Sequence, residues 1–415
     1  MPSEKDLRPA PVEGHCDSAF AAVEVAFRQN FAERDEVGAS LCIYIDGMPV
    51  VDLWGGHRDR ERTRLWKRDT LVNAYSVGKG LTSMLVLSLV ERGELSLDAK
   101  ISELWPAFGC EGKEATTLRM LLAHQSGLPG VRETLAPNAM YDWDAMCAAL
   151  ASQRPFWKPG DDHGYHVNTF GFLVGEPVCK KLGLSFADAF RARVGGLHKA
   201  DFHIGLPDAE HARVAELVEA RRSQEQTEET RGASAFELAK AHFGTGDDEQ
   251  DAMLASVYFN PSGFSGFGTV NTREWRRASI PSTNGHGTAR AVASLYDIFM
   301  RVDADQGGFV GPGLRAEATA TVSDGTDRVL GKPSRFGLGF QLSQPTRLIG
   351  SGDGAYGHFG YGGTLGFSDP ASGVAFGYLM NRPGDRWQTP RTNAIVEALY
   401  ASLGQPRPPK TDDDA

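Results

Sequence analysis

The sequence predicts an α/β chain in which both ends build one sheet-containing unit and a mostly helical segment is inserted between them. Two observations carry this reading. Runs rich in β-formers lie near the two ends, at 38–45 and 49–53 and again at 336–342 and 374–380. Runs with helical spacing fill the middle, at 118–123, 143–151 and 170–182. That order places residues 16–110 and 285–404 in one α/β domain, 111–284 in a helical insertion domain, and the Pro- and Asp-rich 405–415 in a disordered tail. At 415 residues the chain is expected to form one large domain with an insertion, or two domains.

Each element has a local cause. Phe20, Val23, Val25, Phe27 and Phe31 recur at mostly helical spacing, which predicts a first helix over 17–31. Asp46-Gly47 is a hairpin turn signal between the first two strands. The charged stretch 57–68 reads as an exposed loop. An extended run, 70–75, then meets an apolar helix, 81–90, which should stop at Arg92-Gly93. Residues 208–256 are charged and helical in pattern, and 221–231, nearly devoid of apolar side chains, reads as a solvated surface segment. Thr288 is placed to cap a helix running through Met300. The stretch 324–334 reads as a loop, 356–369 as a glycine-rich segment flanked by β-formers, and 393–403 as a closing helix.

Composition excludes several function classes. Apolar residues make up 41% and charged residues 23%, as in ordinary soluble globular proteins. The formal charge of -10 argues against nucleic acid and anionic membrane surfaces as main partners. Cys16, Cys42, Cys110, Cys147 and Cys179 are scattered without a CxxC pair, so neither a disulfide framework nor a zinc site is expected. A reducing compartment fits that usage, and residues 1–12 lack an apolar signal core, so a cytoplasmic location is expected. The most apolar segment, 81–90, is too short to cross a bilayer. No histidine pair has metal spacing, and no Walker, dinucleotide or G-x-S-x-G pattern occurs. The expected partner is therefore a small molecule, with no metal or cofactor.

The chemistry centres on Ser76 and Lys79. Ser76 stands where the extended run meets the helix, and Lys79 follows one turn later on the same face. A serine hydroxyl needs a base, and a lysine can serve only when neutral. Burial and the positive end of a helix dipole both favour the neutral amine. The backbone N–H of Ser76 is a natural oxyanion donor for the same reason. Taken alone, S-x-x-K is a weak signal, but its place at a strand-to-helix junction lifts it above an ordinary capping serine beside a surface lysine.

Two downstream stretches strengthen it. Trp157-Lys158-Pro159-Gly160 precedes Tyr165-His166-Val167-Asn168, and Gly357-His358-Phe359-Gly360-Tyr361-Gly362-Gly363 precedes a strand. With Ser76-x-x-Lys79, these resemble in order and spacing the three motifs of the serine β-lactamase and penicillin-binding-protein superfamily. The branch the chain most resembles is the class C β-lactamase-like, or family VIII, carboxylesterases. Supporting blocks are Leu121-Leu122-Ala123-His124-Gln125-Ser126-Gly127-Leu128-Pro129, Asn284-Gly285-His286-Gly287-Thr288-Ala289-Arg290, Asp369-Pro370, and Tyr378-Leu379-Met380-Asn381. The resemblance implies an antiparallel sheet flanked by helices. It implies Ser76 as acylated nucleophile, Lys79 and Tyr165 as general base and acid, and the N–H groups of Ser76 and Tyr361 as oxyanion hole. Tyr75, Val167, His358, Phe359 and Gly360 would line the substrate site. Two departures stand out: Val167 occupies the usual asparagine position of the second motif, and His358 replaces the lysine of the third. Both point toward neutral esters, and the branch resemblance implies short acyl chains.

Bland readings stand beside these. His358 can be a hydrogen-bonded structural histidine, His124 and His286 are read as structural, and Tyr75, Trp143, Phe156 and Trp157 either line an acyl pocket or simply pack. Amide or β-lactam hydrolysis and acyl transfer could use the same three groups, and a non-catalytic binding paralogue is the alternative of another class.

Overall fold

The computed structural model describes residues 11–218, 233–261, 269–344, 347–384 and 387–405. The expected solvated run 221–231 and nearly all of the expected tail lie outside these residues. The chain opens with β1 (Val12–Cys16), α1 (Ala21–Glu33), β2 (Gly38–Ile45) and β3 (Met48–Gly56). Two-residue strands β4 (Val72–Asn73), β5 (Phe202–His203) and β6 (His286–Gly287) follow at long intervals. The C-terminal strands are β7 (Ser323–Thr326), β8 (Pro333–Phe336), β9 (Gln341–Leu342), β10 (Tyr356–Phe359), β11 (Leu365–Asp369) and β12 (Val374–Met380).

Nine of these form one sheet in the order β1-β3-β2-β12-β11-β10-β9-β8-β7. Its ladders are antiparallel, and β2 meets β12 from Ala39↔Met380 to Ile45↔Val374. The two ends of the chain are thus joined at the centre of the sheet, as the clustering of β-formers predicts. Asp46 and Gly47 both have positive φ (49° and 85°), which a primed hairpin turn requires.

Each face of the sheet carries a core. Phe20, Val23 and Phe27, at and within the start of α1, pack with Ile395, Val396 and Leu399 of α7 (Pro390–Ser402) against Leu41, Phe367 and Phe376. The opposite core holds α2 (Val77–Glu91), α3 (Thr169–Leu182) and α6 (Ala289–Arg301). Helix α2 is buried on every side from Val77 to Leu89, the pattern of a central core helix. Thr288 caps α6 by accepting from Ala291 N, and Gly93 follows α2 with φ 68°. Leu81 of α2, Phe170 of α3 and Leu295 of α6 belong to one continuous core, so the inserted helices share their interior with the sheet unit. Strands β4, β6 and β5 join the two regions in a second small sheet.

Four strands of the large sheet differ from expectation. β1 forms at an edge where the sequence shows only a polar leader. Its three central residues are exposed and only Val12 and Cys16 at its ends touch the core, so backbone pairing largely defines it. β7 and β8 form a hairpin within the stretch read as a loop, where Asp, Gly and Pro mask the pairing Ser323↔Phe336. The run 336–342 is broken by a turn in which Gly337 N donates to Phe340 O and Gly339 has φ 83°, leaving only Gln341–Leu342 as β9.

A buried ionic knot fastens α1, α7 and the sheet. Arg391 Nη1 donates to Glu36 Oε1 at 2.9 Å, Tyr378 donates to the same carboxylate, and Arg391 Nη2 donates to Arg382 O at 2.7 Å. Arg391→Ala leaves Glu36 buried without its cation. It is expected to lower stability by about 3–5 kcal/mol in urea unfolding, with the midpoint moving and the slope unchanged.

Candidate active site

The site begins with a strained turn. Asn73 is held by β6, and Ala74 N donates to Gly285 O at 2.7 Å. Tyr75 then takes φ 50°, a left-handed conformation that costs a bulky residue about 1–3 kcal/mol. That twist lets Ser76 sit as N-cap of α2, with Lys79 N donating to Ser76 O at 3.0 Å. The Tyr75 ring meets Tyr361 edge-on at 5.3 Å.

Lys79 is fully buried. Its Nζ lies 3.2 Å from Ser76 Oγ, 2.6 Å from Val167 O and 3.0 Å from Ser282 O. Among the described residues no carboxylate compensates the amine, and burial holds its pKa well below the usual lysine value. A neutral amine has two N–H bonds and one lone pair. The carbonyls of Val167 and Ser282 accept the two hydrogens, and the lone pair is left for the Ser76 hydroxyl.

Tyr165 completes the group. The Lys79 ammonium position lies 4.8 Å from its ring centroid. Phe336 stacks on the ring at 6.0 Å, and Trp387 meets it edge-on at 5.5 Å. Its hydroxyl is buried without a hydrogen bond of standard geometry. Burial raises the phenol pKa, and the nearby Ser76 hydroxyl opposes that rise. The Tyr165 backbone N–H donates to both oxygens of Asp327 at 3.0 and 3.1 Å. Asp327, itself fully buried, also collects the N–H groups of Val329 and Leu330 and the Ser334 hydroxyl.

β10 forms the third side. His358 is 1% exposed, and its ring lies 5.8 Å from that of Tyr165. Phe359, next along the strand, turns its side chain into the core beneath α1 and α7, so it faces away from this group. Gly360 passes so close to the nucleophile turn that a Cβ there would lie 2.1 Å from Thr364 Oγ1 and 2.8 Å from Ala74 O. Thr364 Oγ1 in turn donates to Ala74 O at 3.2 Å. Tyr361 follows directly in a short 3-10 turn.

Ser76, Lys79, Tyr165 and His358 are therefore brought together, with Tyr75, Gly360 and Tyr361 around the serine turn. Val167 contributes through its carbonyl, and Asn168 turns its side-chain oxygen to accept from Thr283 Oγ1. Phe156 and Trp157 belong to the cluster around Tyr165, joined by helices α4 (Ala235–His242) and α5 (Asp248–Tyr258). Trp143 packs elsewhere, donating to Glu176 Oε2 at 2.6 Å. His124 lies 5.2 Å from the Tyr165 ring, and its Nδ1 accepts from His166 N. His286 sits in the small sheet with Nδ1 against Asn284 O. Sequence reasoning missed Ser282 and Asp327. Ser282 acts through its carbonyl and carries no side-chain signal. Asp327 lies in what reads as an ordinary polar loop.

A family model described as Beta-lactamase matches residues 26–400. The chain belongs to the beta-lactamase family. Within this family it is 32% identical to Esterase/beta-lactamase LipL of Mycobacterium tuberculosis, over 89% of this chain and 83% of that protein. Esterase EstB of Burkholderia gladioli is 26% identical over 92% of this chain and 96% of its own length. Among solved structures, a family VIII carboxylesterase superposes with TM-score 0.82 at 34% identity, covering 95% of this chain and all of that one. A penicillin-binding-protein homologue from Caulobacter crescentus gives 0.83 at 36% identity, with 95% and 100% covered. The family resemblance drawn from the motifs therefore holds, and the protein is a serine hydrolase of the esterase and beta-lactamase type.

The close approach at Gly360 yields a test. Gly360→Ala is expected to push β10 from the Ser76 turn and lower kcat/KM by about 100-fold, read with a chromogenic ester while circular dichroism stays unchanged.

Proposed function

We propose that the protein is a carboxylesterase that cleaves short-chain esters through an acyl-enzyme on Ser76. One observation carries this reading: Lys79 is fully buried with its Nζ held by the carbonyls of Val167 and Ser282 beside Ser76 Oγ, and burial pushes its pKa well below the usual lysine value toward the neutral amine whose lone pair the serine hydroxyl needs. The Ser76 proton passes to Lys79 as Oγ attacks the ester carbonyl carbon. The oxyanion forms beside the N–H groups of Ser76 and Tyr361, where the start of α2 favours negative charge. Collapse breaks the carbon–oxygen bond to the alcohol. Tyr165 gives its proton to the departing alkoxide and regains one from Lys79. In deacylation the same pair takes a proton from water and returns it to Ser76.

Substrate preference is supported by the walls. His358 is uncharged, its pKa held well below the usual value by burial and by Lys79, so it offers no cation to a substrate carboxylate. That weighs against anionic lactams and for neutral esters. Trp157, Phe336 and Trp387 crowd the Tyr165 side, in keeping with a short acyl group. The names of LipL, EstB and the family VIII carboxylesterase agree with ester cleavage. Amide or lactam hydrolysis and acyl transfer would use the same groups, and nitrocefin turnover or product partition to added alcohol separates them.

Ser76→Ala, Lys79→Ala and Tyr165→Phe are each expected to lower kcat by about a thousandfold or more with the fold intact. Substantial turnover in Ser76→Ala would sink the mechanism. Because the proton must leave Lys79 before it can act, activity should fall as pH drops through the depressed pKa of Lys79, and the kcat/KM profile should show that acid limb far below the normal lysine range. Across p-nitrophenyl esters, acetate to butyrate should outpace longer chains. A maximum at long chains would contradict the short-acyl assignment.

A further inference from the structure

His358 presents an acceptor rather than a donor. Its Nδ1 lies 2.6 Å from Phe359 O. A carbonyl oxygen cannot donate, so Nδ1 carries the hydrogen. The ring is 1% exposed, and both burial and Lys79 disfavour a second proton. Nε2 is therefore a lone pair. It is buried and has no hydrogen-bond partner among the described residues.

The neighbouring catalytic groups do not supply the missing hydrogen. Lys79 directs its N–H bonds to Val167 O and Ser282 O. The Tyr165 phenol, whose ring stands 5.8 Å away, gives its proton to the leaving group and regains one from Lys79 in the mechanism above. A buried acceptor left unpaired is unfavourable, and a ligand that brings a donor removes that penalty.

We propose that His358 Nε2 accepts a hydrogen bond from the substrate, and that the site takes esters bearing a hydroxyl or N–H donor close to the scissile carbonyl, such as hydroxy-acid esters. This rests on the esterase reading and narrows it to a substrate class. A polar site rejects an analogue lacking the matching group more strongly than an apolar pocket rejects a missing methylene.

The test compares methyl butyrate with methyl 3-hydroxybutyrate, which carries the donor on the acyl side, and with 2-hydroxyethyl butyrate, which carries it on the alcohol side. At least one donor-bearing ester should exceed methyl butyrate in kcat/KM by about tenfold. In His358→Leu or His358→Phe that ratio should fall to about one. In His358→Gln, whose amide oxygen can replace Nε2, it should largely persist. Wild-type ratios near one for both donor-bearing esters, with methyl butyrate readily cleaved, overturn this inference and leave the esterase reading intact. A ratio that survives in the apolar variants overturns it as well. Failure to cleave any of the three esters counts against the esterase reading and the inference together.

Discussion

The site depends on keeping one amine uncharged. Lys79 sits on a helix buried on every side, with no carboxylate among the described residues to stabilise an ammonium. Removing an unpaired charge from water is far costlier than removing a neutral amine, so burial favours the uncharged amine. The surrounding elements are arranged to satisfy that amine. α3 begins where Val167 offers its carbonyl, and the segment before β6 brings Ser282 O to the other side.

Geometry at the serine is held by tension between two segments. The left-handed Tyr75 turns the chain sharply from β4 into α2, and β10 presses on that turn through Gly360 and Thr364. Strain of this kind persists only where neighbours over-determine it. On the far side, Asp327 gathers the Tyr165 backbone with a hairpin loop, so the phenol is positioned by a buried carboxylate that never touches substrate. Four distant parts of the chain thus converge on a few ångströms, although each is locally unremarkable.

Much of this was legible in the residues. β-branched runs at both ends and the Asp46-Gly47 turn predicted strands that do pair, and Thr288 capped the helix it was expected to cap. The Ser76–Lys79 spacing pointed to one helix face, and Tyr165 and His358 were found through the order of their motifs. What stayed hidden acts through backbone or through pattern-free pairing. β1 is an edge strand with largely exposed side chains, β7 and β8 pair through Asp- and Gly-bearing backbone, and Ser282 reaches Lys79 through its carbonyl. Phe359 shows the converse limit: a motif names neighbours in sequence, while strand alternation sends every second side chain to the opposite face.

The same distinction explains the two motif departures. At position 167 the group that acts on Lys79 is the carbonyl, which valine supplies as well as asparagine, so that change leaves the base intact. At position 358 the group is the side chain itself. A neutral, buried imidazole in place of a cation puts an acceptor where the motif usually carries a donor, which is the basis of the substrate class proposed above. The groups proposed for proton transfer and the atom proposed for recognition are therefore different atoms, and a substitution at one position need not alter the other.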